Sequence, residues 1–461
     1  MGTLPLSRIM EGVTSRGIIL AGFVAVAMVL GGGGSPSPAS EMAVQLAFAM
    51  ASILWVWWPS RASARGIVPP KSLLVGGLAL LALPAWQLVP WPPSVWQELP
   101  SRDLAQATLS LIGESENWRP VSISPPLTLA ALLALIPAIG AMWAAALLGS
   151  RERRFLLFVI VVVALSATML GAMQMASGPD DLRLYEKSHR GWLTAFHANR
   201  NAAADSLLIG SLAFSAWFTK ANVGGAPRLW LPFAAGQSVL LIAILLTGSR
   251  AGIALIFVTL PFHWLMLRPA NAAPGKRPLL MVIAGFAFAL AALPLILSGN
   301  SRIARVVARF DATSDARIPL WRDTLEALDA FWPAGSGIGT FPNALQPFEN
   351  VVTLNQFFPN RAHNDYLEFL LEAGVLAIPV LLGGAILLVK QARKAWKLSP
   401  KEHSCQLFAL GTLAIVALHS VVDYPLRNMA IACLAGVAAG LLTVVPSPGK
   451  VRAGDKGREE T

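Results

Sequence analysis

Two cysteines in 461 residues, Cys405 and Cys433, leave no disulfide framework and no cysteine-based metal centre to build on. Charge is scarce as well. Only 13% of the chain is Asp, Glu, Lys or Arg, against 55% hydrophobic residues and a mean hydropathy of +0.59, which excludes a soluble globular protein. The acids are fewer than the bases, 25 against 36, for a net charge of +11. The excess need not mean a nucleic-acid partner, because Lys and Arg concentrated in short cytoplasmic loops account for it.

What is present in abundance is membrane-length apolar sequence. Runs near the ~20 residues that span a bilayer fall at about 17–33, 43–58, 72–90, 127–148, 155–176, 202–219, 229–247, 252–268, 279–298, 365–389, 405–422 and 428–445. The expected fold is therefore all-α and polytopic, with about twelve transmembrane helices and one long outer loop. Placing both termini in the cytoplasm puts Arg8, Arg16, Arg61, Arg65, Arg151, Arg153, Arg154, Lys220, Arg268, Lys390 and Lys397 on the inner side. The first run reads as a retained signal-anchor. The Gly31-Gly32-Gly33-Gly34-Ser35-Pro36 segment reads as a flexible loop, and 446–461 as a disordered tail.

This topology gathers the unusual polar residues on the outer side. Arg250, within Thr247-Gly248-Ser249-Arg250-Ala251-Gly252, stands between two apolar runs with almost no loop around it. A guanidinium there either snorkels or holds an anion, with Ser249 and the next helix's first N–H groups beside it. Arg200 poses the same question, flanked by the amides of Asn199 and Asn201. Two such arginines favour a bound anion at membrane depth, such as a lipid-linked phosphate. The long polar stretch 300–364 contains an amphipathic segment, 318–331, expected to pack as a lid. Arg317, with Arg309, Asp311, Asp315 and Arg322, forms either an ion network or a sugar site. Gly335-Ser336-Gly337-Ile338-Gly339 has no strand before it and reads as a flexible turn, not a dinucleotide loop. The stretch ends in Arg361-Ala362-His363-Asn364-Asp365-Tyr366-Leu367-Glu368. His363 can take a proton near neutral pH, Asn364 is a natural helix cap, and Asp365 or Glu368 would orient the imidazole. His419 and Asp423 are weaker candidates, and Arg427 serves as an anchor.

The Thr247–Gly252 motif, the long outer loop, His363-Asn364-Asp365-Tyr366-Leu367-Glu368 with Glu372-Ala373-Gly374, and Asp423-Tyr424-Pro425-Leu426 together resemble the O-antigen ligase and polymerase superfamily, over roughly residues 190–446. The resemblance implies a glycosyltransferase-C-like helical bundle in the bacterial inner membrane. Residues 1–190 would be N-terminal helices, 191–445 the core with a periplasmic loop at 299–364, and 446–461 a cytoplasmic tail. It implies inverting transfer of a glycan from undecaprenyl pyrophosphate to a sugar hydroxyl at the periplasmic face, with no cofactor, metal or nucleic acid. The acceptor is the lipid A core for a ligase and another lipid-linked repeat unit for a polymerase. Arg200 and Arg250 would hold the pyrophosphate and His363 would assist the acceptor, with Asn199, Asn201, Ser249, Asn364, Asp365, Glu368, Arg317 and Asp423 in support. A bicarbonate-type transporter is the competing class; it would place polar groups at mid-membrane on broken helices.

Overall fold

The computed structural model describes residues 10–34, 36–58, 68–178, 180–221, 229–268, 317–352 and 358–445. The expected ninth span at 279–298, the first part of the long loop, both extreme termini and the tail lie outside the described residues. What is described is almost entirely helical; a two-residue antiparallel pairing, Pro90–Trp91 (β1) with Arg119–Pro120 (β2), is the sole sheet among these residues.

The long helices follow the apolar runs. They are α1 (Ser15–Leu30), α2 (Pro38–Trp57) and α3 (Lys71–Gln87), then, after the short α4 (Pro93–Trp96) and α5 (Asp103–Leu111), α6 (Pro125–Ala146) and α7 (Ser150–Ser177). The bundle continues with α8 (Arg200–Ala221), α9 (Trp230–Leu246) and α10 (Arg250–Leu267). In the loop region lie α11 (Arg317–Phe331) and α12 (Phe341–Leu345). The last helices are α13 (Asp365–Ala373), α14 (Ala377–Leu398), α15 (His403–His419) and α16 (Met429–Leu441). Six described helical stretches, including α13 and α14 taken as one from Asp365 to Leu398, are long and apolar enough to cross a membrane; α1, α3, α9 and α16 are shorter apolar helices. The chain is a multi-pass, all-α membrane protein.

Lipid-facing and protein-facing helices separate by burial. In α2 only 11% of the apolar window is buried, and Met42, Leu46, Met50 and Ile53 form an exposed stripe at helical spacing, as a lipid-facing helix requires. In α8 the figure is 89%, so α8 is the central post of the bundle. The last helix returns against α6 through Gly436 and Gly440, where a Cβ would stand 2.2 Å from the carbonyl oxygens of Ala138 and Met142. Small residues one turn apart allow this backbone approach.

At the end opposite the polar cluster, two contacts tie the helices together. Lys220 at the end of α8 meets Glu402 at 2.6 Å, just before α15. Arg153, expected as an interface anchor, is instead fully buried and donates to the carbonyls of Leu441 and Thr443 at 3.0 and 3.3 Å, capping α16.

Two segments read as flexible are packed turns. The carbonyls of Gly31, Gly32 and Gly33 accept from Ala430 N (3.1 Å), Ala198 N (2.8 Å) and Asn428 Nδ2 (3.2 Å), so the α1–α2 loop is wedged between the starts of α8 and α16. In the second, Gly335, Gly337 and Gly339 have φ of +79°, +110° and +88°, and added Cβ atoms would meet the Glu372 carbonyl, Ser122 and the Leu127 carbonyl within 2.8 Å. This turn clamps the end of α13: Ser336 N and Gly337 N donate to the Leu371 and Glu372 carbonyls. The amphipathic segment is helical as expected; Ala327 and Phe331 of α11 pack on Phe341, Ala344, Ala362 and Leu371.

Candidate active site

Asn364 caps α13, its Oδ1 accepting from Tyr366 N and Leu367 N at 3.0 Å each. The residue before it, His363, has φ of +52°, a left-handed backbone that a non-glycine residue adopts only when its surroundings hold it there. Those surroundings are visible. The His363 Nδ1 lies 2.9 Å from Asp423 Oδ1, and the ring meets Tyr424 edge-on with centroids 4.9 Å apart. The imidazole is one-third exposed, and its Nε2 has no protein partner among the described residues. A proton on Nδ1, bonded to the carboxylate, leaves the Nε2 lone pair directed at whatever enters the site.

The carboxylate beside His363 is thus Asp423, not Asp365 or Glu368, because those two are engaged elsewhere. Asp365 Oδ2 accepts from Ser420 Oγ at 2.9 Å and from Leu426 N at 3.2 Å. Glu368 accepts from Arg361 Nη1 (2.9 Å) and Ala362 N (3.0 Å) and forms an ion pair with Arg427 Nη2 at 3.0 Å. Glu372 binds the same Arg427 nitrogen and accepts from Phe341 N at 3.1 Å. Arg427 is more than an anchor: its guanidinium bridges two fully buried carboxylates. Burial alone would disfavour its charge, but Glu372, Glu368 and Asp365 outweigh that and make it hold its proton more tightly. The cluster fastens residues 361–363 to 423–427, which fixes the His363–Asp423 contact.

Asp423 is buried, and burial pushes its carboxyl upward. The hydrogen bond from His363, the nearby His419 and the 2.6 Å bond from Asn201 Nδ2 together hold it below the usual carboxylate range. Asn201 is therefore committed to Asp423, while Asn199 Oδ1 receives Asn201 N at 2.8 Å.

The two arginines head neighbouring helices. Arg200 is the first residue of α8; its N–H donates to His189 Nδ1 at 3.2 Å, and its guanidinium lies 5.2 Å from the Trp192 ring centroid. Arg250 is the first residue of α10, and Ser249 caps that helix by accepting from Gly252 N at 3.1 Å. The starts of α8 and α10 touch: a Cβ on Gly252 would lie 2.5 Å from Ala204, and one on Gly248 would lie 2.2 Å from the indole of Trp192. One indole thus underlies Arg200 and the turn that presents Arg250. Arg317 heads α11, within electrostatic reach of His419.

Beside Asp423, a small pocket is lined by Asn199, Asp205, Asp423, Tyr424 and Arg427. A larger cavity, of about 90 Å³, lies elsewhere, between α8, α9 and α10. Its polar wall is Ser211, Ser215, Gln237 and His263, hydrogen-bonded to one another at 2.7–3.3 Å. Polar groups therefore occur at mid-helix depth as well as at the site end, which the sequence reading did not anticipate. Asp205 was also missed. An acid five residues past Arg200 inside an apolar helix is by itself a signal.

Residues 235–382 match the family model described as O-antigen ligase. No curated protein matches the chain. The matched segment includes Arg250, His363, Glu368 and Glu372; Arg200, Asp205, His419, Asp423 and Arg427 lie outside it and meet it through the contacts above.

Proposed function

We propose that the chain transfers a glycan from undecaprenyl pyrophosphate to a sugar hydroxyl on an acceptor at the periplasmic face of the inner membrane, a reading supported by the match of residues 235–382 to the O-antigen ligase family model. The observation that carries this reading is the unpartnered Nε2 of His363, held by Asp423 through Nδ1 at the bundle end that also carries Arg200 and Arg250.

The acceptor hydroxyl approaches Nε2 and gives up its proton there as its oxygen bonds to the anomeric carbon. The bond from that carbon to the phosphate oxygen breaks, and its electron pair leaves with undecaprenyl pyrophosphate. Arg200 and Arg250 meet the charge that develops on the departing pyrophosphate, a role that needs fixed cations in a site with little water. Attack opposite the leaving group inverts the anomeric centre. Asp423 keeps the imidazole in the accepting tautomer and stabilises the imidazolium that forms.

The family description supports transfer of the ligase or polymerase type; the ligase reading takes the lipid A core as acceptor and the polymerase reading another lipid-linked repeat unit. The carrier reading is less well supported, since Ser211, Ser215, Gln237 and His263 sit on three continuous helices and satisfy one another. Deleting the gene and analysing the glycans tests the assignment. A ligase leaves full-length polymer unattached on its lipid carrier; a polymerase leaves single lipid-linked repeat units. Complementation with His363→Ala or Arg250→Ala at normal abundance should leave the same species accumulated as in the deletion, and full attached polymer from either variant would refute the mechanism.

A further inference from the structure

Behind Asp423 lies a second acid–imidazole pair that the mechanism has not used. His419, the last residue of α15, places Nδ1 2.6 Å from Oδ1 of Asp205 in the second turn of α8, and both side chains are 1% exposed. On its other side, His419 Nε2 faces Asp423 Oδ2 at 3.9 Å. Two atoms of this pair, Asp205 Oδ2 and His419 Nε2, are buried without a hydrogen-bond partner. Asp205 and Asp423 line the same pocket. The four groups form a column, His363, Asp423, His419, Asp205, in which imidazole and carboxylate alternate from the exposed end inward.

The geometry selects a charge state for His419. A neutral ring with its proton on Nδ1 would direct the bare Nε2 lone pair at the Asp423 carboxylate, whereas an imidazolium directs an N–H at each carboxylate. Buried charge survives only when paired in this way. A purely structural pair would bond to helix backbone or to each other in full; here one nitrogen and one oxygen are left without a hydrogen bond, and the nitrogen faces Asp423. Charged groups on the surrounding elements are Arg200 on α8, Arg250 on α10, Arg317 on α11, Asp365 and Glu368 on α13, and Arg427 ahead of α16. Of these, Arg317 opposes the charge on His419, and Arg427 is taken up by Glu368 and Glu372.

The geometry points to Asp205 and His419 as positioning residues that hold the Asp423 carboxylate and thereby keep His363 in the tautomer that accepts the acceptor's proton. This rests on the proposed role of His363. Asp205 holds the imidazolium, the imidazolium holds the Asp423 carboxylate, and that carboxylate holds the tautomer of His363. Removing the first charge lets His419 become neutral, so Asp423 protonates at higher pH and His363 loses its orienting partner over the same range.

The test is the pH profile of transfer in membrane vesicles containing the full chain, lipid-linked donor and acceptor. Asp205→Asn keeps the size and an oxygen toward His419 but removes the charge; the acidic limb should move up by about one pH unit, the scale of losing an opposite charge near 4 Å. At a pH on that limb, the variant should be about tenfold slower than the wild type, with the plateau rate and donor KM little changed. Asp205→Glu should keep the wild-type limb. Should Asp205→Asn fail to accumulate, His419→Asn carries the same expectation. A limb unmoved in either variant, a rate lowered equally at every pH, or failure of both to accumulate overturns the inference and makes the pair a packing element. His363→Ala separates the two levels: if it is active, the reading of the site fails, and if it is inactive while the limb of Asp205→Asn is unmoved, only the present inference fails.

Discussion

Replacing Asp423 by Asn tests the centre of the site with the smallest change of shape. In the wild type, one Asp423 oxygen receives His363 Nδ1 at 2.9 Å and the other receives Asn201 Nδ2 at 2.6 Å. Asparagine keeps one acceptor oxygen for these two donors and loses the charge. The Asn201 bond is the same before and after proton transfer, so its loss affects folding more than rate. The His363 bond changes, because the ring becomes an imidazolium as the acceptor loses its proton. Hydrogen bonds between charged groups contribute about 1.5–3 kcal/mol, so transfer should slow roughly 10- to 150-fold with the acceptor KM little altered. The assay is initial transfer rate in vesicles, normalised to protein abundance by immunoblot. The same substitution in a His363→Ala background should add nothing further, since it acts through that ring. A rate within about threefold of wild type, or an undiminished effect in the His363→Ala background, would refute the coupling.

Other consequences are open to measurement. Arg427→Met leaves Glu368 and Glu372 buried without their shared cation; the apparent Tm in detergent should fall, by an amount matching about 3–5 kcal/mol, and adding Glu372→Gln should recover part of it. Gly32→Ala puts a Cβ 2.0 Å from the Phe196 carbonyl oxygen, next to the segment leading to Arg200, so transfer should drop at least about tenfold although residue 32 touches no substrate; normal activity would contradict the packing. His197 is buried with no partner on Nδ1, and burial lowers it from 6.5 to about 4. The unfolded chain therefore binds this proton first as pH falls: the contribution is complete above about pH 6.5, declines through the interval and is gone below about 4, roughly 3 kcal/mol in all. His197→Gln should flatten that part of a stability–pH curve. If Arg200 and Arg250 supply the charge compensation proposed for them, transfer in vesicles should persist in EDTA, and its abolition would call for a metal.

The apolar helices of the described residues and the capped start of α13 were legible in the sequence because each is local: an apolar run, an Asn before a helix. The orienter of His363 was not. Asp365 and Glu368 are closest in sequence, but they sit on a helix whose inward face is pinned by Ser420, Arg361 and Arg427. The true partner comes from residue 423, and no spacing rule connects positions sixty apart. The glycine-rich segments failed for the opposite reason. Gly31–Gly34 and Gly335–Gly339 have the composition of loose linkers, yet glycine there allows backbones to touch, a property of the neighbours that composition does not record. Asp205 was within reach, as an acid in an apolar helix.

The wedge of Gly31–Gly34 between the starts of α8 and α16 has a consequence for how the protein comes into being. Its hydrogen-bond partners, Ala198, Asn428 and Ala430, belong to the middle and the last helical segments. Membrane chains are made and inserted from the N-terminus, a few residues each second, so the first wall of the site waits through nearly the whole of synthesis for the surfaces that will enclose it. Asp423 and Arg427 emerge at the very end. Until α16 docks on α6, there is an imidazole without its carboxylate and a pair of buried glutamates without their cation. The His363–Asp423 pair and the Arg427 cluster are thus completed only when the segment ahead of α16 has been made.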